Sequence, residues 1–430
     1  MTAVAIGFIC VAAAIFLMLL RVPIGVALGA PSILGIYFAA GWRPLVATLS
    51  SAPYEFAASW ELSAVPMFIL MGSTAFATGM TDSLFQAARM WFGRLPGGLA
   101  IASNWACAGF SAASGSSLAT TLTMGQIAIP VMRRYGYDPG LATGVVAAAG
   151  TLGSLIPPSI LLVIYGIFAG VSIPKLFLAA IIPGLLTAGV YTATILMRCK
   201  LKPSLAPVPE ETYTMGEKLR ALAGVWPLPL IVVLVIGSMY AGIATATEAG
   251  AMGVFITAVI ALVRRQMNLR VVKEAIIATL NASTSIFFVA IGAVLMTRLM
   301  AYTGVPNFLA SSLGTNVSPA TLLIATLVLY LVLGMFIDSI GMVLLTLPVL
   351  LPIFNAAGLD LIWFGILLVK FVEIGLITPP VGMNVFAVRS ITPDLPVLTI
   401  FKGAGWFFLA ELFVLVILMI FPSISLFLVQ

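Results

Sequence analysis

A short apolar motif with two consecutive prolines occurs twice in the chain. Its copies are GSLIPPS at residues 153–159 and GLITPPV at residues 375–381. Proline lacks a backbone N–H and clashes with the preceding turn, so each copy must interrupt a helix. An interrupted helix leaves free carbonyl oxygens at one end and free N–H groups at the other. The carbonyl oxygens suit a hard cation such as Na⁺, and the N–H groups suit a carboxylate.

A polar cluster precedes each interruption, a hydroxyl-rich one at FSAASGSS (residues 110–117) and one with Asp338 and Ser339 at FIDSIG (residues 336–341). A small polar patch in the centre of an apolar segment indicates a re-entrant hairpin with its tip at mid-membrane. Small residues also serve close helix packing, but the equal spacing from each interruption favours a binding role. The sequence predicts two Na⁺ sites: Ser114, Ser116, Gly153, Ile156 and Pro158 in one, and Asp338, Ser339, Gly375, Thr378 and Pro380 in the other.

Composition places these segments in a membrane. The chain has 430 residues, of which 62% are hydrophobic and 8% are charged, whereas soluble chains are about a quarter charged. We therefore expect an all-α polytopic membrane protein. The absence of histidine excludes His-based metal sites and catalytic triads. Together with the lack of paired intramembrane carboxylates, it argues against an enzyme. The net charge of +6 comes without a basic, aromatic-interleaved run, so no nucleic-acid partner is expected.

The two interruptions belong to a duplication. Pro157 and Pro379 lie 222 positions apart, and the same offset relates Asp138 to Asp360 and the tip residue Ser116 to Asp338. One shared offset predicts two repeats, at residues 1–199 and 223–430, joined by a polar linker at 200–222. The predicted hairpins occupy about 97–134 and 318–356, and the predicted broken spans occupy 138–170 and 360–389.

Basic residues predict the orientation of about ten transmembrane helices. Met1–Leu20 has no basic residue before its apolar run, so we expect a retained first span followed by Arg21 on the inside. This choice leaves only Arg43 and Lys175 outside, with two more basic residues within spans. It places both termini in the periplasm and the linker in the cytoplasm, and it inverts the second repeat relative to the first. Polar stretches at 42–60, 82–95 and 264–274 are predicted to be interfacial.

Several polar residues inside predicted spans are further candidates. Lys370 and Glu373 lie i,i+3 on a broken span, so they could form a mutual salt bridge, or Glu373 could support the ion site or carry a proton. Arg298 could snorkel to the interface or bind a substrate carboxylate. Glu248 could complement the N-terminal dipole of a helix. The predicted substrate contacts are Arg298, Asn384 and Ser154.

The chain resembles the large membrane (M) subunit of TRAP transporters, the tripartite ATP-independent periplasmic carriers of the ion-transporter superfamily. Three stretches carry the resemblance: GSLIPPS with the following Tyr165-Gly166, GLITPPVGMNVF at 375–386, and GIATATEAGAMG at 242–253. Ala246 stands where the family usually has proline. The resemblance implies an elevator-type secondary transporter driven by Na⁺, in which the hairpins and broken spans form the moving transport domain and the other helices form the scaffold.

The resemblance also implies partners. These are a small four-helix membrane subunit, expected as a separate polypeptide because the chain starts at its own first span, and a periplasmic binding protein. The implied activity is Na⁺-coupled uptake of an organic acid, of the sialic acid or C4-dicarboxylate type, across a bacterial inner membrane. A self-sufficient dicarboxylate or citrate carrier of the same superfamily remains an alternative. A channel is less compatible with two symmetric interruptions at mid-membrane, which suit an occluded site.

Overall fold

The computed structural model describes residues 2–208, 211, 213–313 and 317–429, and in these ranges the only regular elements are helices. The helices before the linker are α1 Ala3–Leu19, α2 Ile24–Ala40, α3 Trp42–Ala57, α4 Ala64–Ala77, α5 Met80–Phe92, α6 Gly98–Ser114, α7 Ser117–Arg134, α8 Pro139–Ala149, α9 Leu152–Leu155, α10 Ile160–Ala169 and α11 Ile173–Leu201. Short 3₁₀ turns occupy Trp60–Ser63 and Pro203–Leu205. The all-α prediction is confirmed.

The remaining helices are α12 Met215–Val225, α13 Pro227–Tyr240, α14 Ala246–Val263, α15 Leu269–Thr303, α16 Val305–Leu313, α17 Pro319–Gly334, α18 Ser339–Ala356, α19 Leu361–Ile377, α20 Met383–Ile391, α21 Val397–Ile420 and α22 Ser423–Leu426. Within the described ranges, six helical segments are long and apolar enough to cross a membrane, and eight if each of two bent pairs counts as one span. One bent pair contains the first double-proline interruption, with α8 and α9 on one side and α10 on the other at 40°.

Two predicted polar segments overlap helices. The expected interfacial piece at 264–274 overlaps α15, which begins at Leu269 and continues unbroken for 35 residues to Thr303. Asn268 accepts a hydrogen bond from Val271 N–H and so caps the helix start. The predicted linker at 200–222 also contains most of α12, whose start carries a capping box between Thr214 and Glu217. Local capping chemistry, which hydropathy does not register, explains both differences.

Close helix approaches build the core. Gly25 of α2 lies against Gly292 of α15, where an added Cβ would fall 2.5 Å from a backbone oxygen. Gly144 of α8 lies against Gly403 of α21, where an added Cβ would fall 2.3 Å from backbone carbon. Small residues of this kind let helix backbones approach in lipid, where packing rather than the hydrophobic effect drives association. These contacts place α2, α4, α14 and α15 in one helix group and α8, α11, α19 and α21 in another.

Candidate functional site

The turn between α6 and α7 forms the first tip. Gly115 adopts a left-handed conformation (φ +61°), which glycine permits without steric cost. Ser116 caps α7, since its hydroxyl accepts from Ala119 N–H at 3.5 Å. Behind the turn, the Ser114 and Thr120 hydroxyls lie 2.7 Å apart, and Thr120 donates to the Ser116 carbonyl at 2.8 Å. The tip therefore gathers hydroxyl and carbonyl oxygens in one small volume.

The first interruption packs directly against this tip. Helix α9 ends at Leu155, and α10 begins after Ser159, whose hydroxyl accepts from Leu162 N–H at 3.3 Å. The Ile160 N–H donates to the Gly115 carbonyl at 3.2 Å. A Cβ added to Gly153 would lie 2.4 Å from the Ser116 carbonyl oxygen, so only glycine permits this approach.

Four members of the first predicted ion site are thus neighbours. Ser114, Ser116 and Gly153 meet at the tip, and the Pro158 carbonyl lies 2.8 Å from the position of a Cβ on Gly115. The Ile156 side chain instead packs against Gly184 of α11. Thr120 joins this group without having been predicted, although its i+4 spacing from Ser116 was a signal in the sequence.

The second tip, Met335–Ser339, is built differently. Asp338 caps α18, where its carboxylate accepts from the N–H groups of Ile340 and Gly341 at 3.2 and 3.4 Å. Gly334 before the turn packs on Gly375 of α19, with 2.5 Å between an added Cβ and the Gly375 Cα. Gly375 therefore serves a helix-to-helix contact, and its carbonyl accepts from Thr378 N–H at 3.2 Å.

The second interruption, Thr378–Gly382, is more open. The Thr378 hydroxyl donates to the Ile374 carbonyl at 2.6 Å, so its proton is already used. Pro379 and Pro380 are exposed, whereas Pro157 and Pro158 are buried. Within the ranges that the structure describes, no hydrogen bond joins the second tip to this interruption. The structure does not bring the second predicted ion set together by hydrogen bonds as it does the first.

A cavity of about 540 Å³ lies between the two tips and the helix group that contains α4 and α15. The first tip contributes residues 114–117, the first interruption contributes Ser154 and Ile160, and the second tip contributes Ser339. Helices α4 and α15 close the opposite wall. Both tips and one interruption therefore face a single space.

The predicted substrate residues divide between this cavity and other places. Ser154 lines the cavity. Arg298 does not: it is half-exposed on α15 and lies 3.8 Å from Glu55 of α3, which favours the snorkelling interpretation. Asn384 is fully buried, donating to the Ala147 carbonyl at 3.1 Å, and does not line the cavity. Ser73 and Gln126 line it and were not predicted, because single polar residues on spans carry no motif.

Lys370 lies in a fully buried ionic network. Its ammonium donates to Glu373 at 2.8 Å and to the Thr187 hydroxyl of α11 at 3.1 Å, and it contacts Glu411 of α21. The Tyr191 hydroxyl donates to the other oxygen of Glu411. The Lys370–Glu373 salt bridge is confirmed, while the part played by Glu411 was missed because its partners lie on distant helices.

Glu248 lies at the N-terminus of a helix, as considered from the sequence. Its carboxylate accepts from Thr245 N–H at 2.8 Å, and Thr245 accepts from Glu248 N–H, which completes a capping box at the start of α14. This arrangement satisfies two donors that the helix start leaves free.

Comparison with known proteins gives a consistent result. The family model "Tripartite ATP-independent periplasmic transporter, DctM component" matches residues 11–424. A C4-dicarboxylate TRAP transporter large permease protein of Pseudomonas aeruginosa is 34% identical over 385 residues, with 89% of each chain covered. A sialic acid TRAP transporter large permease protein of Vibrio cholerae is 32% identical over 370 residues, with 86% of each covered. The fold resembles the YdaH transporter of Alcanivorax borkumensis (TM-score 0.66, 17% identity, 96% and 98% covered).

Proposed function

Since the chain belongs to the DctM component family of tripartite ATP-independent periplasmic transporters, we propose that it carries a small organic acid across a bacterial inner membrane, driven by Na⁺. The observation that carries this proposal is the cavity shared by both tips and the first interruption. Ligand sites of this kind occur at the interface between repeats, where broken helices supply backbone groups. The partners are a small membrane subunit and a periplasmic binding protein.

The first tip supports Na⁺ coupling. Ser114, Thr120 and the Ser116 carbonyl offer neutral oxygens within hydrogen-bond distance of one another. Hard cations take such oxygen ligands. Asp338 adds a negative charge at the second tip, which a second cation would balance. We place the first Na⁺ at the contact between Gly153 and the first tip and a second near Asp338.

The transport cycle follows from the two helix groups. The hairpins α6–α7 and α17–α18 and the interrupted segments move together with the substrate, while α2, α4, α14 and α15 remain in place. The two repeats are inverted, with both termini in the periplasm. This movement exposes the shared cavity first to the periplasm and then to the cytoplasm.

Uptake in proteoliposomes tests the proposal. The vesicles contain this chain and its small membrane subunit, and candidate binding proteins loaded with radiolabelled acids are added outside. An inward Na⁺ gradient should drive uptake, and replacing Na⁺ with K⁺ should abolish it. Uptake driven by a proton gradient without Na⁺ would refute Na⁺ coupling. Uptake by this chain alone, without either partner, would support the one-component alternative.

A further inference from the structure

Hydroxyl groups on the apolar helices mostly bond within their own helix. The Ser103 hydroxyl donates to the Leu99 carbonyl at 2.8 Å, Thr257 donates to Gly253 at 2.7 Å, and Thr346 donates to Met342 at 2.9 Å. A hydroxyl bonded to the carbonyl four residues earlier has committed its proton. Such a hydroxyl already has a hydrogen-bond acceptor and does not donate its proton to a ligand.

The cavity between the tips breaks this pattern. Six of its polar side chains make no side-chain hydrogen bond within the described part of the chain: Ser73, Ser117, Thr123, Gln126, Ser154 and Ser339. Three of them, Ser117, Thr123 and Ser154, are less than a tenth exposed, at 3%, 7% and 3%. These side chains therefore leave several donors and acceptors around one cavity free to bond to a ligand.

The chemistry of these side chains limits the ligand. A hydroxyl and an amide each donate and accept hydrogen bonds, whereas a carboxylate only accepts. Six neutral groups of both kinds match a substrate that itself carries hydroxyls. Between them, Phe76 and Phe110 present apolar walls on which the C–H faces of a carbon chain or sugar ring can pack.

The charges of the lining residues further limit how many carboxylates the ligand can carry. No lysine or arginine is among the described residues that line the cavity. One carboxylate can lie at the start of α7, where Ser117 is the first helical residue and the first N–H groups lack acceptors within the helix. A second carboxylate would find no cationic side chain among the described lining residues.

We propose that the cavity accepts a hydroxylated monocarboxylic acid of the sugar-acid type rather than a four-carbon dicarboxylate. This inference rests on the proposed transport function and specifies its substrate class. The carboxylate lies at the start of α7, and the substrate hydroxyls bond to Ser73 and Gln126 on the walls and to Ser154 and Ser339 at the tip side.

Thermal unfolding of the purified chain in detergent and NaCl tests the substrate class. The hydroxylated probes are D-gluconate, D-glucuronate and N-acetylneuraminate; succinate represents dicarboxylates, and hexanoate represents a monoacid without hydroxyls. At least one hydroxylated acid should raise the unfolding temperature in a saturable manner, and succinate and hexanoate should not. Stabilisation by succinate alone, by hexanoate as strongly as by the sugar acids, or by none of the probes overturns the inference.

Matched variants test the hydrogen-bonding groups. Ser73→Ala and Gln126→Leu should each weaken sugar-acid binding about 5- to 10-fold, as expected for one lost hydrogen bond. Ser285→Ala is the control, because Ser285 lines the same cavity but its hydroxyl already donates to the Asn281 carbonyl at 3.0 Å. An equal loss in all three variants, or none in the first two, contradicts the assigned contacts.

Repeating the titrations in KCl separates this inference from the proposed function. Sugar-acid binding of equal strength in Na⁺ and K⁺ refutes Na⁺ coupling and leaves the substrate class standing. Na⁺-dependent binding of succinate alone refutes the substrate class and leaves Na⁺-coupled transport standing.

Discussion

The two double-proline regions share a plan but differ in how they are stabilised. In the first, Gly153 and Ile160 touch the neighbouring tip, and both prolines are buried. In the second, the prolines are exposed, and the tip is capped by a carboxylate instead of a hydroxyl. The first region therefore already gathers several oxygen atoms in one place. The second region instead presents the negative charge of Asp338.

The helices behind the interruptions differ as well. Lys370, Glu373 and Glu411 of the second repeat stand at the positions of Ala148, Thr151 and Gly189 in the first. Helix α19 continues to Ile377 with its buried charges, whereas α8 ends at Ala149. The first interruption is stabilised by backbone contact with the first tip. The long helix α19 before the second interruption is stabilised by an ionic network. The two double-proline interruptions are thus supported by different interactions.

The largest effect is expected at the ionic network. Lys370→Met leaves Glu373 and Glu411 as facing carboxylates in full burial, and removing one partner of a buried pair costs about 3–5 kcal/mol. The unfolding temperature in detergent should fall strongly. Arg270→Met is the control, since Arg270 pairs with Glu274 at 2.8 Å on the exposed surface. An equal response of both variants would mean that the network does not hold the second repeat.

The glycines at the interruptions should respond unequally. Gly153→Ala places a methyl group 2.4 Å from the Ser116 carbonyl, and overpacking of this kind costs about 1–3 kcal/mol. It should also raise the Na⁺ concentration needed for half-maximal uptake about tenfold, because the oxygens of the first tip are displaced. Gly375→Ala meets Gly334 at 3.0 Å, a milder contact. Equal effects on Na⁺ activation would remove the distinction between the two regions.

Much of this comparison was accessible from sequence. Proline chemistry placed both interruptions, and the common offset paired Ser116 with Asp338, each of which caps a helix in the structure. The partners of Lys370 were not accessible in full, because Glu411 lies 41 positions away and hydropathy does not give helix rotation. For the same reason the sequence left two roles open for Arg298, snorkelling and binding a substrate carboxylate, since its pairing with Glu55 depends on which face of α15 it occupies.

Substitutions of the tip residues Ser116 and Asp338 separate the effect of helix capping from the effect of charge. Ser116→Ala removes the hydroxyl that caps α7 and should lower stability by about 1 kcal/mol. Asp338→Asn should leave stability almost unchanged, because asparagine caps as well as aspartate, but it removes the charge near the proposed second Na⁺. Uptake in Asp338→Asn should therefore need more Na⁺. Unchanged Na⁺ activation in this variant would argue against an ion at the second tip.

The smallest effect is expected at the base of the first hairpin, where Glu211 forms an ion pair and accepts hydrogen bonds. Glu211 accepts from the hydroxyls of Tyr135 and Tyr213 and pairs with Arg89, whereas Ala357 stands at the position equivalent to Tyr135. These donors, the Tyr135 hydroxyl foremost, lower the pKa of Glu211 from 4.5 to about 2. A lowered carboxyl pKa stabilises the fold at a pH above the unfolded value, and this contribution is lost as the pH falls toward the folded value.

Glu211→Gln should therefore cost less than about 1 kcal/mol at pH 7, since the group is largely exposed. The difference between wild type and variant should stay nearly constant from pH 7 to 5 and shrink as the pH falls from the unfolded pKa of 4.5 toward the folded value of about 2, because the wild-type carboxylate then loses its advantage. Unfolding temperatures of both proteins across this range provide the measurement. A difference that stays constant with pH would show that Glu211 acts through shape rather than charge, and the hairpin base would then owe nothing to the ion pair.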